Sequence, residues 1–379
     1  MQPTTHLTVN GRVSVRRTVY WSPQKGTVIP VDQWLGLAEQ RFSLGVREMC
    51  CREALHCPFE VARDNLQRTA QLSLDGRTLR EIVETQGRAV EAAQQSGALP
   101  PAFTAAECTA GTLITGADGV MVPLVTQQQK DKRRATELAQ RIAQGRSSTA
   151  AVGRPKQGSD GPFHEFKLVA FYDPDKAHCQ VVGTAGDHAV AGRLMRREAR
   201  RLHLTQAKVK YAVSDGAEWI AHQYQQQLPM LDVHILDYYH LREHVIRASY
   251  GLYGEGTKKA EQWREEMMGC VWEQGSLVLL DRLSSYLRRH RTGPKHEAVA
   301  SLRDYLSKRV AMTDYPTFRQ LGYDCGSGPT ESLCGRLTDR LKGPGMRWDA
   351  SNAEAMMALA SLSHSGLWDT YWKAVRAAA

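Results

Sequence analysis

Gly326-Ser327-Gly328-Pro329-Thr330-Glu331-Ser332 is the most informative stretch of this 379-residue sequence, and it runs on to Lys342-Gly343-Pro344-Gly345-Met346-Arg347-Trp348. Its glycine–proline turn delivers one carboxylate, Glu331, to the start of a predicted helix, where proline is well tolerated. Basic residues follow the acid at Arg336, Arg340, Lys342 and Arg347. One acid among cations indicates a site that binds a metal ion through carboxylate and phosphate through arginine. Such a site needs partner carboxylates from elsewhere in the chain.

The composition is that of an ordinary globular protein with a basic balance. The length predicts two or three domains. Hydrophobic residues make up 42% of the chain and charged residues 23%. Lysine and arginine outnumber aspartate and glutamate by 49 to 40, which gives a net charge of +9. That excess fits a nucleic-acid partner without requiring one.

Cysteine usage and the lack of long apolar runs predict where the protein works. The eight cysteines form no Cys-x-x-Cys pair, so we expect reduced thiols rather than a zinc ribbon or a disulfide framework. No apolar run reaches the roughly 18 residues of a membrane span. Residues 1–10 lack the apolar core of a signal peptide. We therefore expect a cytoplasmic, nucleoid-associated protein with no membrane partner.

Two regions precede the main pattern. Residues 1–42 contain short extended segments and predict a small β or irregular region. Residues 43–105 predict three helices, at about 43–55, 59–69 and 78–93, with tight turns that are compatible with a helix-turn-helix DNA-binding domain. Arg77 and Arg80 are its candidate DNA contacts. The alternative is a small helical bundle with a solvated basic face, since helix-turn-helix patterns are easily imitated.

Residues 106–238 alternate between strand and helix patterns and predict a mixed α/β sheet. An apolar run ends at Asp118, and a second run follows Gly119, which predicts a hairpin with its turn at Asp118-Gly119. Residues 127–162 form a polar insertion, partly helical at 131–144. Residues 239–320 are almost wholly helical, and 321–379 holds the last helices, at about 329–341 and 350–376. Further strands are predicted at 166–172, 179–184, 208–214 and 233–236, and helices at 188–203 and 218–228.

Three acids share a setting that favours metal binding. Asp118 and Asp215 each end an apolar run and precede glycine, and Glu331 enters a helix. Groups at the carboxyl ends of strands line the functional edge of an open α/β sheet, so these acids can converge. Crowded carboxylates repel one another unless a cation joins them, and Mg²⁺ or Mn²⁺ accepts such ligands. Taken singly, each aspartate also fits a plain turn, and Glu331 also fits the positive end of its helix.

Asp237 is a reserve candidate for the same site, because it also follows a predicted strand. His240 and His244 lie four residues apart on the helix after it, so a histidine metal pair is conceivable. No third ligand is evident and the His-Glu-x-x-His order is absent. A structural or phosphate-contacting role is the favoured interpretation of these histidines.

These stretches together resemble the DDE transposases of bacterial insertion sequences, and in particular those of the Kra-type element group. The resemblance runs over roughly residues 30–375. It rests on the Asp-Gly segments around Asp118 and Asp215, the segment 235–240, the motif 326–348, and the ending Ser365-Gly366-Leu367-Trp368-Asp369-Thr370-Tyr371-Trp372. One departure is that residues 10–32 contain no cysteine, whereas many relatives are expected to carry a zinc-binding segment there.

The resemblance implies an α/β fold with a ribonuclease H-like mixed sheet core, which an all-helical insertion interrupts before the final acid. Asp118, Asp215 and Glu331 would be the catalytic triad and would bind two Mg²⁺ or Mn²⁺ ions. The reaction would be hydrolysis at the element's ends, followed by attack of a 3′-hydroxyl on target DNA. The partners implied are the terminal inverted repeats, target DNA and further copies of the chain in a homo-oligomer.

Two alternatives to an active transposase remain open, a domesticated DNA-binding protein that does not cut and a structure-specific nuclease without strand transfer. The residues proposed to contact DNA by phosphate contact or base stacking have a structural alternative, a solvated basic helix face with a buried tryptophan. These candidates are Arg77, Arg80, His240, Arg336, Arg340, Lys342, Arg347 and Trp348.

Overall fold

Two hairpins and a group of helices open the chain in the computed structural model, which describes residues 2–24, 26–34, 41–146, 157–289 and 291–378. The helices predicted between 43 and 93 are present. Ser43 caps the first of them, its hydroxyl accepting from Val46 N–H at 3.4 Å. The elements are β1 (Gln2–Thr8), β2 (Gly11–Arg17), β3 (Tyr20–Ser22), β4 (Gly26–Val28), α1 (Pro30–Trp34), α2 (Leu44–His56), α3 (Phe59–Ala70) and α4 (Gly76–Ser96).

A five-stranded mixed sheet follows, in the strand order β7-β6-β5-β8-β9. β5, β6 and β7 are antiparallel neighbours, and β8 and β9 extend the sheet on the other side of β5 as parallel strands. The chain is therefore a mixed α/β protein, as predicted. The elements of this part are β5 (Thr112–Pro123), α5 (Gln127–Ala143), β6 (Phe163–Tyr172), β7 (Cys179–Thr184), α6 (His188–Arg201), β8 (Val209–Ser214), α7 (Glu218–Gln227) and β9 (Val233–Leu236).

The hairpin predicted at Asp118-Gly119 is wrong. β5 is one continuous strand that pairs with β6 from Ile114↔Tyr172 to Pro123↔Phe163. Ladder pairing along this whole length outweighs the local turn preference of Asp-Gly, since each buried backbone group needs a partner. Asp118 therefore lies within a strand rather than at its end. Of the predicted 127–162 insertion, residues 147–156 lie outside the described residues.

A helical block separates the sheet from the last three helices. It follows β9 directly and precedes the helix that carries Glu331. The predicted helix at 350–376 is two helices, because Gly366 takes a left-handed conformation, φ +67°, between them. The elements are α8 (Tyr238–Tyr253), α9 (Lys258–Gln274), α10 (Ser276–Arg289), α11 (Pro294–Ser307), α12 (Tyr315–Gln320), α13 (Gly328–Thr338), α14 (Ala350–His364) and α15 (Trp368–Ala378).

The sheet is covered on both faces. Along β5, Ile114, Val120 and Val122 join the core that includes α4, α13 and α14. Leu113 and Ala117 join a second core with α6 and α7. This alternation follows from the period of two along a strand. Among the described residues, no helix is both long and apolar enough to cross a membrane.

Candidate metal and nucleic-acid site

The strand register, extended past its last paired residues, aligns the three aspartates in one row at the edge of the sheet. β5 and β8 pair from Thr112↔Val209 to Thr115↔Ala212, an offset of 97 residues (212 − 115), and the same offset carries Asp118 to Asp215. β8 and β9 pair up to Ser214↔Leu236, an offset of 22 (236 − 214), which carries Asp215 to Asp237. The row crosses the carboxyl ends of the two parallel strands, where ligand sites of open sheets lie.

Side-chain alternation places Asp118 on the α13 side of the sheet. Along β5 it lies an even number of residues from Ile114 and Val120. Both of those apolar residues belong to the core on the α13 side of the sheet. The Asp118 carboxylate therefore projects toward the helix that carries Glu331, and Asp215 lies in the loop directly after β8.

Glu331 reaches this edge because α13 packs directly on β5. A Cβ atom added to Gly116 would lie 1.8 Å from Thr330 Oγ1, so a larger residue would clash with the helix. Thr330 is buried, and its hydroxyl lies 3.4 Å from the Tyr172 hydroxyl of the neighbouring strand. Glu331, the next residue, is exposed at the rim. The glycine in β5 thus sets the distance between the final acid and the strand that carries Asp118.

The electrostatics of Asp118 indicate that the acids lie near one another. Burial raises the pKa of Asp118, and the charges of Asp215 and Glu331 raise it further. Gly119 N–H donates to Asp118 Oδ1 at 2.7 Å and opposes this rise, as does the Cys334 thiol one turn along α13. A half-buried carboxylate beside two others favours a cation in their midst.

The loop after Asp215 is fastened to the helical block. Ala217 N–H donates to Asp215 Oδ1 at 2.9 Å, and the Tyr305 hydroxyl donates to the Asp215 carbonyl at 3.3 Å. The Arg309 guanidinium donates to the Gly216 carbonyl at 2.8 and 3.1 Å and lies 4.0 Å from the Tyr305 ring centroid. The sequence analysis did not identify Tyr305 and Arg309, because no local pattern marks contacts between residues 90 and 93 positions apart.

Asp237 has a different environment from the other acids. Its side chain is 1% exposed, and its Oδ1 accepts from His240 N–H at 2.7 Å, which caps α8. Its Oδ2 accepts from both the backbone N–H and the hydroxyl of Ser327. The Ser327 hydroxyl also lies 2.7 Å from Glu331 Oε1.

The donor chemistry of the three-acid site suits a hard divalent ion. Carboxylate oxygens are the ligands that Mg²⁺ and Mn²⁺ prefer. Within the described residues, no group of three or more His, Cys, Asp or Glu side chains lies close enough together to hold a metal ion as the side chains stand. The surroundings of His244 agree with the structural role favoured over a histidine metal pair. His244 stacks on Tyr305 with ring centroids 3.6 Å apart, and burial lowers its pKa to about 4.

A basic groove is lined by five of the predicted DNA contacts, of which three have exposed side chains. Arg77 and Arg80 of α4 line it together with Arg347, and α5 adds Lys130 and Arg133. The groove encloses about 590 Å³. Its charge is partly balanced, since Lys130 pairs with Asp349 at 2.6 Å, Arg77 with Glu81 at 2.9 Å and Arg80 with Glu84 at 3.8 Å. The sequence placed these residues in separate regions, and the fold brings them to one surface.

Arg340 and Trp348 also line the groove, but both side chains are largely buried, which agrees with the structural alternative of a buried tryptophan. Trp348 is 7% exposed, and its indole N–H donates to the Leu341 carbonyl at 3.1 Å. Arg340 is 8% exposed, donates to the Ala54 carbonyl at 2.9 Å and lies against the rings of both Phe59 and Trp348. Both side chains join the segment between α13 and α14 to the N-terminal helices, which explains their burial. Of the other candidates, Arg336 and Lys342 are exposed and His240 is half-buried.

Comparison with known proteins identifies no family. No protein-family model matches the chain. No curated protein matches the sequence. Among solved structures, the chain is similar to the Drosophila P element transposase strand transfer complex, with 11% sequence identity and a TM-score of 0.40. The similarity covers 86% of this chain and 93% of that chain. At this score and identity it carries no argument about the function of this protein.

Proposed function

We propose that this protein is a transposase that cuts and joins DNA strands with divalent metal ions held by Asp118, Asp215 and Glu331. The observation that supports the proposal most is electrostatic, since the charges of Asp215 and Glu331 both act on the half-buried Asp118. Asp118 lies on β5, Asp215 directly follows the neighbouring strand β8, and the close approach of Thr330 to Gly116 packs the helix of Glu331 against β5. The acids are separated in sequence by 97 (215 − 118) and 116 (331 − 215) residues.

The topology supports a ribonuclease H-like core as the frame of this site. Three antiparallel strands are followed by two that run parallel to the first, and β5 lies at the centre of the sheet. The all-helical block from α8 to α12 enters after β9 and ends before α13. This is the position that the sequence resemblance implies for an insertion before the final acid.

The chain's own residues would divide the work of phosphoryl transfer. Asp118, Asp215 and Glu331 would hold two Mg²⁺ or Mn²⁺ ions, and Gly119 N–H and the Cys334 thiol orient the Asp118 carboxylate. When bound, such ions activate an attacking water or 3′-hydroxyl and stabilise the leaving oxygen. The exposed arginines of the basic groove would hold the DNA backbone, which fixes the strand without reading its sequence.

The sequence resemblance supports three further details of this proposal. The DNA substrate would be the pair of terminal inverted repeats of a Kra-type insertion sequence, and target DNA would receive the cut ends. The protein would act as a homo-oligomer in the bacterial cytoplasm. Inverted repeats in the DNA that flanks the gene would support this directly.

The test is a cleavage and joining assay on DNA that carries the sequences flanking the gene. We expect nicking at the element's ends with Mg²⁺ or Mn²⁺, joined products when target DNA is added, and loss of both in EDTA or in Asp118→Asn. Asp281→Asn is the matched control, since Asp281 is an exposed acid on α10. Tight binding without nicking would favour the non-cutting DNA-binding protein, and nicking without joined product would favour the nuclease. Full activity of Asp118→Asn would refute the triad.

A further inference from the structure

We infer that Asp237 is a positioning residue, which orients Glu331 for the metal through Ser327 and is not itself a metal ligand. This inference rests on the proposed metal site at Asp118, Asp215 and Glu331. Because Asp215 aligns with Asp237 at the ends of adjacent strands, either aspartate could supply the second carboxylate of the metal site. Their hydrogen bonds distinguish them.

The carboxylate of Asp237 is held by two backbone N–H groups, and the Ser327 hydroxyl is a further donor within reach of it. It is 1% exposed and accepts from His240 N–H on one oxygen and from Ser327 N–H and Oγ on the other. A carboxylate that turned to a metal ion would leave a buried N–H without its partner, which is costly. Asp215 is half-exposed, and its contact with Ala217 N–H lies within its own loop. Asp215 is thus the acid that can turn to an ion.

The Ser327 hydroxyl links Asp237 to Glu331. It lies 2.8 Å from Asp237 Oδ2 and 2.7 Å from Glu331 Oε1. A hydroxyl has one hydrogen to donate, so it serves one carboxylate at a time. Because Ser327 N–H already holds Asp237 Oδ2, the hydroxyl can point to Glu331 without releasing the turn. One buried acid thereby fixes the turn, and the turn's hydroxyl fixes the rotamer of an exposed acid.

The backbone reinforces this link at two points. Tyr238 N–H donates to the Cys325 carbonyl at 2.9 Å, which joins the start of α8 to the turn before α13. Glu331 N–H donates to the Ser327 carbonyl at 3.0 Å, which makes Ser327 part of the first turn of α13. The path from β9 to Glu331 therefore consists of short, directional contacts. Residues that hydrogen-bond to a metal ligand in this way change the affinity of the site for the metal ion without entering the coordination shell.

The experiment measures Mn²⁺ binding to the full chain without DNA, by the electron paramagnetic resonance signal of free Mn²⁺. We expect Ser327→Ala to keep the number of bound ions and to weaken their affinity by roughly tenfold, the lower end of the effect of such partners. Asp237→Asn should behave in the same way, and Ser327→Thr, which retains a hydroxyl, should restore much of the affinity. Asp215→Asn should lower the number of bound ions. Thermal unfolding of each variant checks the fold.

Ser327→Ala keeps the inference testable if Asp237→Asn fails to fold, because it removes the hydroxyl and retains the caps on α8 and on the turn. A loss of bound ions in Asp237→Asn that matches Asp215→Asn would overturn the inference. So would unchanged Mn²⁺ affinity in Ser327→Ala, or a wild type that binds no Mn²⁺. A wild type that binds Mn²⁺ as described and cuts no DNA would instead refute the proposed function and leave the positioning role supported.

Discussion

Replacing Gly116 with alanine tests whether the packing of α13 on β5 sets the site. The new Cβ would lie 1.8 Å from Thr330 Oγ1 and 2.9 Å from both Thr330 Cβ and Cγ2. Thr330 is 2% exposed and β-branched, so it has little freedom to rotate away. Carbon atoms pack at roughly 3.5–4.0 Å, and the first turn of α13 must therefore move by about 1 Å.

Both the stability and the activity should respond to this displacement. Overpacking of a well-filled core costs about 1–3 kcal/mol, so we expect a loss of about 2 kcal/mol in the free energy of unfolding. Because a displacement of about 1 Å at a catalytic group costs on the order of 100-fold in rate, nicking should fall by about that factor. Urea unfolding measures the first effect, and the initial rate of metal-dependent nicking measures the second.

Gly335→Ala is the matched control on the same helix. A Cβ atom there would meet nothing within 4 Å. It should stabilise the protein by about 0.5–1 kcal/mol through helix propensity and leave nicking unchanged. Adding Thr330→Gly to Gly116→Ala should recover part of the lost activity, because the clash is removed. A Gly116→Ala variant with wild-type stability and wild-type nicking would refute the reasoning about α13.

Three other predictions concern the interior, the groove and the pH dependence of folding. Trp348→Ala should lower the free energy of unfolding by about 3–5 kcal/mol in urea, since the ring is 7% exposed; a loss below about 1 kcal/mol would contradict its structural role. Arg347→Ala should lower the slope of log Kd for DNA against log salt by about 1, whereas Arg282→Ala on α10 should not; equal slopes for both would contradict a phosphate contact at Arg347. Burial lowers the pKa of His234 from 6.5 to about 4. The unfolded chain therefore takes the proton first, and stability that is present above pH 6.5 should be lost toward pH 4 by up to about 1.4 kcal/mol per pH unit. His234→Gln should flatten that dependence in urea titrations across the range.

The sequence was most informative where local pattern and tertiary structure agree. The strands at Cys179–Thr184 and Val233–Leu236 begin and end where the apolar runs predict. The spacing of 97 residues between Asp118 and Asp215 equals the register offset of β5 and β8, although sequence alone could not identify it as a register. The Asp118-Gly119 hairpin was wrong because pairing on β6 is a long-range effect that overrides a local turn signal.

Contacts across the chain explain the rest of what the sequence missed. For Arg340 and Trp348 the sequence left open either DNA contact or a structural role with a buried tryptophan, and contact with the distant Phe59 buries both side chains. Ser327 stood within the most informative motif, yet its role depends on Asp237, 90 residues away. No periodicity or composition encodes such pairs, because they depend on which elements meet in space.

Anomalous diffraction from crystals grown with Mn²⁺ would locate the metal ions of the proposed site directly. We expect Mn²⁺ within coordination distance of Asp118, Asp215 and Glu331, with Asp237 still hydrogen-bonded to Ser327 and outside the coordination shell. Mn²⁺ bound by Asp237 in place of Asp215, or no Mn²⁺ at this edge of the sheet at saturating concentration, would contradict this expectation.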